Sequence, residues 1–129
     1  MMRVLLDTHI LIWALIDPVR LPSEADEMIA NSQNEVHFSA VNIWEIAIKV
    51  RLGRRDFGFE PDTVLSAAKA TGLVELPIDA RTGLVLRHLP AHHNDPFDRL
   101  LVAQAIDAGV VFLTSDAALP AYSPLVRLV

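Results

Sequence analysis

The sequence predicts a three-layer α/β/α domain over residues 1–129, with a mainly parallel sheet of about five strands. Short apolar runs alternate along the chain with longer segments of helical periodicity, which is typical of parallel sheets with right-handed crossovers. Hydrophobic residues make up 52% of the chain, a proportion that suits a sheet covered by helices on both faces. The 129 residues are enough for one domain with a sizeable core.

The strands are predicted from five short apolar runs. The first of them ends in an acid at Asp7, and the fourth ends in an acid at Asp116. The runs are RVLLD (3–7), VHFS (36–39), LVELPI (73–78), VVFLTSD (110–116) and LVRLV (125–129).

The helices are predicted from the segments between these strands and from their capping residues. Ser23 is expected as an N-cap, with Asp26 three residues later completing a capping box. The last helix is the best defined, with Asp95 as N-cap, Pro96 at its first position and Gly109 just past its end. The helical segments are HILIWALI (9–16), SEADEMIANS (23–32), AVNIWEIAIKVRLG (about 40–52), PDTVLSAAKATG (61–72), DARTGLVLRHL (79–89) and the segment 95–109.

The charge and composition exclude several classes of protein. Asp and Glu outnumber Lys and Arg by 16 to 11, for a net charge of −5, so bulk electrostatic attraction does not hold nucleic acid here. Cysteine is absent, which excludes disulfides and thiolate metal sites and makes a reducing cytoplasm the expected location. The longest apolar run, 10–16, is too short to span a membrane, and the N-terminus reaches an acid too soon for a signal peptide.

Asp98 breaks the apolar pattern of the last helix. At about 100° per residue it falls within the apolar stripe that contains Leu101, Val102 and Ala105. One explanation is local, because an acid three residues after the N-cap can bond back to the cap and favour the helix dipole. The other is functional: a buried carboxylate must be neutralised or given a cation.

Four acids distant in sequence are predicted to converge. Asp7 and Asp116 end strands, while Glu45 and Asp98 lie near helix starts, and both positions face the same rim of a parallel sheet. Asp7 and Asp116 also have simpler explanations as helix or turn caps, and Glu45 as an exposed pair with Lys49. Because like charges close together require a cation, the four acids indicate a site for one or two Mg²⁺ or Mn²⁺ ions.

Histidines and basic residues suggest further contacts. The loop HLPAHHND (88–95) matches no closed zinc pattern, so its histidines are interpreted as polar loop residues. His9 either touches a substrate phosphate or is a solvated turn residue, and Arg99 either contacts a phosphate or forms a surface ion pair. A solvated helix end, an RNA backbone or an acidic peptide would each explain the basic cluster of Lys49, Arg51, Arg54 and Arg55.

These residues together resemble a known family. LLDTHILIW (5–13), Glu45, HNDPFDRLLVAQA (93–105) and VVFLTSD (110–116) are similar to PIN-domain ribonucleases, specifically the VapC-type toxins of bacterial toxin–antitoxin pairs. The resemblance covers essentially the whole chain. It implies a compact α/β/α fold and a metal-dependent endoribonuclease, often dimeric and inhibited by a small antitoxin.

The resemblance also implies roles for single residues. Asp7, Glu45 and Asp98 would hold Mg²⁺ or Mn²⁺, directly or through water, and Asp116 would complete the site. Asp95 is an additional acid just upstream that competes with Asp116 for this role. Thr8 or Ser115 would orient a water or a phosphate of the RNA substrate, and which RNA is cut stays open.

Three alternatives accompany this interpretation. The first is a PIN-type nuclease of RNA processing that has no antitoxin. The second is a receiver-like signalling module, for which Asp79 is a poor phosphate acceptor and the only lysines are Lys49 and Lys69. The third is a haloacid-dehalogenase-type phosphatase with Asp7 as nucleophile, but the position that should carry its second acid is His9.

Overall fold

The computed structural model describes residues 1–54, 57 and 59–129. Within these residues the chain forms five strands and six α helices, together with short 3₁₀ helices at Pro18–Arg20 and Pro120–Tyr122. The strands are β1 (Arg3–Leu6), β2 (Glu35–Ser39), β3 (Val74–Leu76), β4 (Val111–Thr114) and β5 (Val126–Leu128). The helices are α1 (Thr8–Leu15), α2 (Ser23–Ala30), α3 (Ala40–Arg51), α4 (Pro61–Ala70), α5 (Ala80–His88) and α6 (Pro96–Ala108).

The five strands form one sheet in the order β3-β2-β1-β4-β5. All four strand pairings are parallel, and β1 lies at the centre, where Leu5 is opposite both His37 and Phe112. The predicted parallel sheet of about five strands is therefore confirmed. The strand order reverses direction between β1 and β4, and in open α/β sheets ligands bind beyond the carboxyl ends of the strands at this point.

The core lies in two layers, one on each face of the sheet, as the predicted three-layer architecture requires. Alternate residues of a strand point to opposite faces, so Val4 and Leu6 belong to one layer while Leu5 belongs to the other. The first layer is completed by apolar residues of α1, α2, α3 and α4, and the second mainly by Leu101, Val102 and Ala105 of α6. The two layers hold the carboxyl ends of β1 and β4 in fixed positions.

The helix ends follow the capping prediction for α6 but not for α2. Asp95 caps α6 by accepting bonds from the backbone N–H groups of Phe97 and Asp98, and Gly109 ends it in the left-handed conformation with φ of 68°. The prediction that Ser23 is an N-cap is wrong, because Ser23 is the first helical residue of α2. Pro22 takes the cap position with the extended ψ of 143° that a cap requires, and no side chain bonds to the first turn.

The topology also decides one alternative. Receiver-like modules have the strand order 2-1-3-4-5, whereas this sheet places β2 and β3 on one side of β1 and the two later strands on the other. The receiver interpretation is therefore wrong. Within the described part of the chain, none of the helices has the length and apolar character that crossing a membrane would need.

Candidate metal centre

Asp7 follows β1 at the switch point and has two structural partners. It is the N-cap of α1, where Oδ1 accepts a 2.8 Å bond from the backbone N–H of Thr8. The Thr114 hydroxyl, at the end of β4, donates to Oδ2 at 2.6 Å. Burial raises the pKa of Asp7 to about 6, although both hydrogen bonds oppose this rise. Asp7 is therefore both a helix cap, as its simpler explanation held, and a carboxylate that lacks full charge compensation.

Glu45 is buried on α3, and the first turn of α1 fixes its position. The Thr8 hydroxyl donates to Oε1 of Glu45 at 2.5 Å, and the Asn42 side-chain amide donates to the same hydroxyl at 3.0 Å. Thr8 is fully buried. The Thr8 hydroxyl is therefore directed inward, where it positions Glu45.

Lys49 lies one helical turn after Glu45 and turns inward. Its Nζ donates to Oε2 of Glu45 at 2.6 Å and to Oδ2 of Asp95 at 2.9 Å. Burial alone would lower the pKa of Lys49, but these bonds and the charges of both acids outweigh it and raise the pKa above its usual value. The simpler explanation of Glu45 predicted the pair with Lys49 but placed it in solvent, whereas the Lys49 side chain is only 12% exposed.

Asp95 combines the cap of α6 with this ion pair. Its Oδ1 accepts from the backbone N–H groups of Phe97 and Asp98, and its Oδ2 accepts from Lys49. Burial would raise the pKa of Asp95, but the Lys49 bond and the two backbone bonds lower it overall. Asp95 is therefore an ionised carboxylate whose oxygens already have donors.

Asp98 is the least compensated acid of the cluster. Its side chain is 14% exposed, and it lies one turn before the buried Leu101 and Val102. Burial raises its pKa to about 8, and the neighbouring charges of Asp7, Asp95 and Glu45 add to this rise. The position of Asp98 on the apolar face of α6 thus places a carboxyl group among other carboxylates, and the charge of Lys49 offsets only part of their effect.

Asp116 follows β4 and pairs with a histidine that the sequence interpretation left in the loop. Nε2 of His93 lies 3.0 Å from Oδ2 of Asp116 and 3.6 Å from Oδ2 of Asp98. Nδ1 of His93 accepts a 3.0 Å bond from the backbone N–H of Asp95, so Nδ1 carries no proton and the neutral ring holds its proton on Nε2. His93 therefore donates toward Asp116, whose Oδ1 caps the following turn through the N–H of Ala118.

His93 lies in the loop, as interpreted, but its contact with Asp116 was not predicted, although a signal for it was present. His93 lies two residues before the N-cap of α6, and a helix start after a parallel strand faces the rim where the acids converge. His88 and His92, its companions in sequence, are both exposed, the first at the end of α5 and the second in the loop.

Two groups of side chains bring their ligand atoms within 4.8 Å of one another among the described residues. They are His93, Asp98 and Asp116, and Glu45, Asp95 and Asp98. Asp98 belongs to both groups. Asp7 lies outside both, but its charge contributes to the raised pKa of Asp98. The structure thus places Glu45 and Asp116 on either side of Asp98, with Asp7 near enough for its charge to act on Asp98.

The other candidate residues lie around this cluster. The guanidinium of Arg99 donates to the carbonyl groups of Leu89 and Pro90 and to the hydroxyl of Tyr122. It therefore fastens the loop before α6, and no surface ion pair of Arg99 is present among the described residues. Ser115 is exposed beside Asp116. In the basic cluster Arg51 and Arg54 are exposed, Lys49 is not, and Arg55 lies outside the described residues.

Comparison with known proteins identifies the family. Residues 4–123 match the model of the PIN domain. The chain belongs to the PIN domain family. No curated protein matches its sequence.

Solved structures share the fold of this PIN domain. The chain is similar to VapBC2 from Rickettsia felis bound to a DNA fragment from their promoter, with 15% identity, 99% of this chain and 98% of that chain covered, and a TM-score of 0.66. It is also similar to PAE2754 from Pyrobaculum aerophilum, with 19% identity, 97% of this chain and 82% of that chain covered, and a TM-score of 0.55. At these identities the likeness establishes the fold alone.

The cluster of this PIN domain fits a hard divalent cation. Its ligand atoms are mainly carboxylate oxygens, which are the ligands that Mg²⁺ and Mn²⁺ accept. The raised pKa values of Asp7 and Asp98 show that these carboxylates are poorly compensated when no cation lies among them. A divalent ion would remove that penalty, because an opposite charge within a few ångströms favours the ionised form.

Proposed function

We propose that this protein is a metal-dependent endoribonuclease that hydrolyses RNA phosphodiester bonds and uses Mg²⁺ or Mn²⁺. The observation that carries the proposal is the convergence of Asp7, Glu45, Asp98 and Asp116 at the switch point of a parallel sheet, where the pKa values of Asp7 and Asp98 are raised. Membership of the PIN domain family supports it.

The proposed role of each residue follows from its position in the cluster. Asp7, Asp98 and Asp116 would hold the cation. Glu45, which the Thr8 hydroxyl fixes in position, would support the cation from the buried side. When bound, the ion lowers the pKa of a water and offsets charge on the phosphate oxygens. Ser115, exposed beside Asp116, would bond to a phosphate oxygen. Since the chain carries a net charge of −5, these acids would repel RNA without the cation.

We further propose that the protein is the toxin of a toxin–antitoxin pair and acts in the cytoplasm. The likeness in fold to VapBC2 supports this. So does an apolar strip along α3 and its C-cap, where Trp44, Ile48 and Leu52 are exposed at four-residue spacing, because amphipathic partner helices bind such strips. A homodimer would cover apolar surface as well. The alternative, an RNA-processing nuclease without an antitoxin, differs in having no such partner.

The nuclease proposal is tested with purified full-length protein and a mixture of tRNA, rRNA and mRNA. Cleavage is expected with Mg²⁺ or Mn²⁺, and it should stop when EDTA is added. Asp7→Asn should lower the rate at least 100-fold, while Asp62→Asn, an identical change at an exposed site on α4, should keep it. Cleavage that persists in EDTA, or full activity of Asp7→Asn, would refute the proposal.

The toxin proposal needs a cellular test. Induced expression is expected to arrest growth, and the Asp7→Asn variant should not. Co-expression of the product of the adjacent short reading frame should restore growth and yield a stable complex with the protein. Normal growth on induction of an active nuclease would favour the RNA-processing alternative. Light scattering of the isolated protein decides whether it is a homodimer.

A further inference from the structure

The ammonium group of Lys49 already occupies part of the acidic cluster. Its Nζ lies 2.6 Å from Oε2 of Glu45 and 2.9 Å from Oδ2 of Asp95. It also lies 4.8 Å from the centre of the Phe57 ring and 5.7 Å from that of Phe97, distances at which an aromatic face attracts a cation. Carboxylates on one side and rings on the other thus hold this ammonium in place.

This position coincides with one of the two groups of metal-ligating atoms. Glu45 and Asp95 belong, with Asp98, to the group whose ligand atoms lie within 4.8 Å, and Lys49 bonds to two of these three acids. The remaining oxygens also have donors: Oε1 of Glu45 accepts from Thr8, and Oδ1 of Asp95 accepts from the first turn of α6. A divalent ion entering here would meet an ammonium charge and carboxylates that already have partners.

The other side of the cluster differs in charge: the oxygens of Asp116 also have hydrogen-bond partners, His93 and the N–H of Ala118, but no ammonium group of the described residues bonds to this acid. Asp98 and Asp116 face His93, whose Nδ1 is occupied by the backbone of Asp95, so the neutral imidazole contributes a donor but no positive charge. Nuclease sites with two metal ions use the second ion to supply positive charge beside the first. On the Glu45 side of this cluster the protein supplies that charge from its own chain.

We propose that Lys49 takes the place of a second metal ion, so that this protein binds a single divalent cation, on the side of Asp7, Asp98 and Asp116. The inference rests on the proposed function, because it assumes that the cluster binds a metal at all. Lys49 is thereby a positioning residue: its bonds hold Glu45 and Asp95 in place beside the ion.

The test is the number of Mn²⁺ ions bound by the metal-free, full-length protein. Isothermal titration calorimetry, with electron paramagnetic resonance to count free Mn²⁺, should give one ion per chain for the wild type. Lys49→Met removes the charge and keeps an unbranched apolar stem against the rings, and it should bind two ions. Lys69→Met, the same change at the other lysine, which is exposed on α4, should bind one.

Stability provides a second measurement. Without metal, Lys49→Met should melt at a lower temperature than the wild type, because Glu45 and Asp95 lose their cation. Saturating Mn²⁺ should raise its melting temperature more than it raises that of the wild type, since each bound ion adds to the stability of the folded state. Lys49→Arg, which keeps the charge, should still bind one ion, and it provides the comparison if Lys49→Met is not folded.

The outcomes separate this inference from the proposed function. Two ions in the wild type would overturn the role of Lys49 while leaving a metal-dependent nuclease intact. One ion in folded Lys49→Met, or two in Lys49→Arg, would likewise overturn it. No Mn²⁺ binding to the wild type at millimolar concentration would overturn the proposed function itself, and the inference with it.

Discussion

The raised pKa of Asp98 makes the stability of the metal-free protein depend on pH. Burial and the charges of Asp7, Asp95 and Glu45 raise that pKa from 3.8 to about 8. Between these values the folded chain keeps a proton that the unfolded chain releases. Stability rises with pH only where the unfolded state binds more protons, so the metal-free protein should lose stability as the pH increases from about 4 to about 8.

The magnitude follows from the size of this pKa difference. Each unit of pKa difference between the folded and unfolded states corresponds to about 1.4 kcal/mol. The rise of the Asp98 pKa from 3.8 to about 8 therefore limits the loss of stability to about 6 kcal/mol. A small domain is stable by about 5–15 kcal/mol in total, and relaxation and water penetration reduce such burial penalties. We therefore expect the free energy of unfolding to fall by about 2–3 kcal/mol between pH 5 and pH 8.

Asp98→Asn isolates this effect. The amide resembles the protonated carboxyl group in size and cannot ionise, so the variant should match the wild type at pH 5 and exceed its stability by about 2–3 kcal/mol at pH 8. The variant should keep a smaller loss of stability between about pH 4 and pH 6, because it still contains Asp7, whose pKa is raised to about 6. The Asp62→Asn control should have the stability of the wild type at both pH 5 and pH 8.

Urea unfolding at pH 5 and pH 8 in EDTA, followed by circular dichroism, measures the difference. Adding Mn²⁺ at pH 8 should reverse the order, because the wild type then gains a ligand that Asp98→Asn holds weakly. Equal pH dependence of the wild type and Asp98→Asn in EDTA would refute the reasoning, and so would a metal-free wild type that becomes more stable toward pH 8.

Two further substitutions test the hydrogen bonds that position the acids, and urea unfolding measures both. Thr114→Val keeps the side-chain shape but removes the hydroxyl that donates to Asp7, and it should cost about 1–3 kcal/mol; an unchanged midpoint would contradict the assigned bond. Asn42→Ala removes the α3 capping box and the amide that fixes the Thr8 hydroxyl, and it should cost about 2–4 kcal/mol, whereas a cost below about 0.5 kcal/mol would show that these bonds are dispensable.

Local chemistry was sufficient to predict the elements of this fold. The α6 boundaries follow from the fixed φ of Pro96, the cap oxygen of Asp95 and the left-handed freedom of Gly109, all of which act within a few residues. The single failure among the capping predictions, at Ser23, arose because the preceding proline already had the extended conformation of a cap. Four of the five strands are shorter than their apolar runs because only the paired residues count: the run 73–78 contributes Val74–Leu76. β2 instead begins one residue before its run, at Glu35.

Long-range contacts were beyond such reasoning. The spacing of Glu45 and Lys49 predicted their pair, but its burial depends on Asp95 and on the rings of Phe57 and Phe97, which come from other parts of the chain. The contact of His93 with Asp116 was not predicted for the same reason, since the two residues lie 23 positions apart in the chain.

The sequence by itself determined the order of helices and strands, the boundaries of α6 and that the sheet is parallel, and it predicted that Asp7, Glu45, Asp98 and Asp116 face one rim. These properties depend on periodicity and on the side chains next to each cap, which are short-range. Only the tertiary structure decided which acid has a cation, which has a histidine and which stays uncompensated. Charge compensation acts over a few ångströms in space, and folding alone sets those distances between residues far apart in the chain.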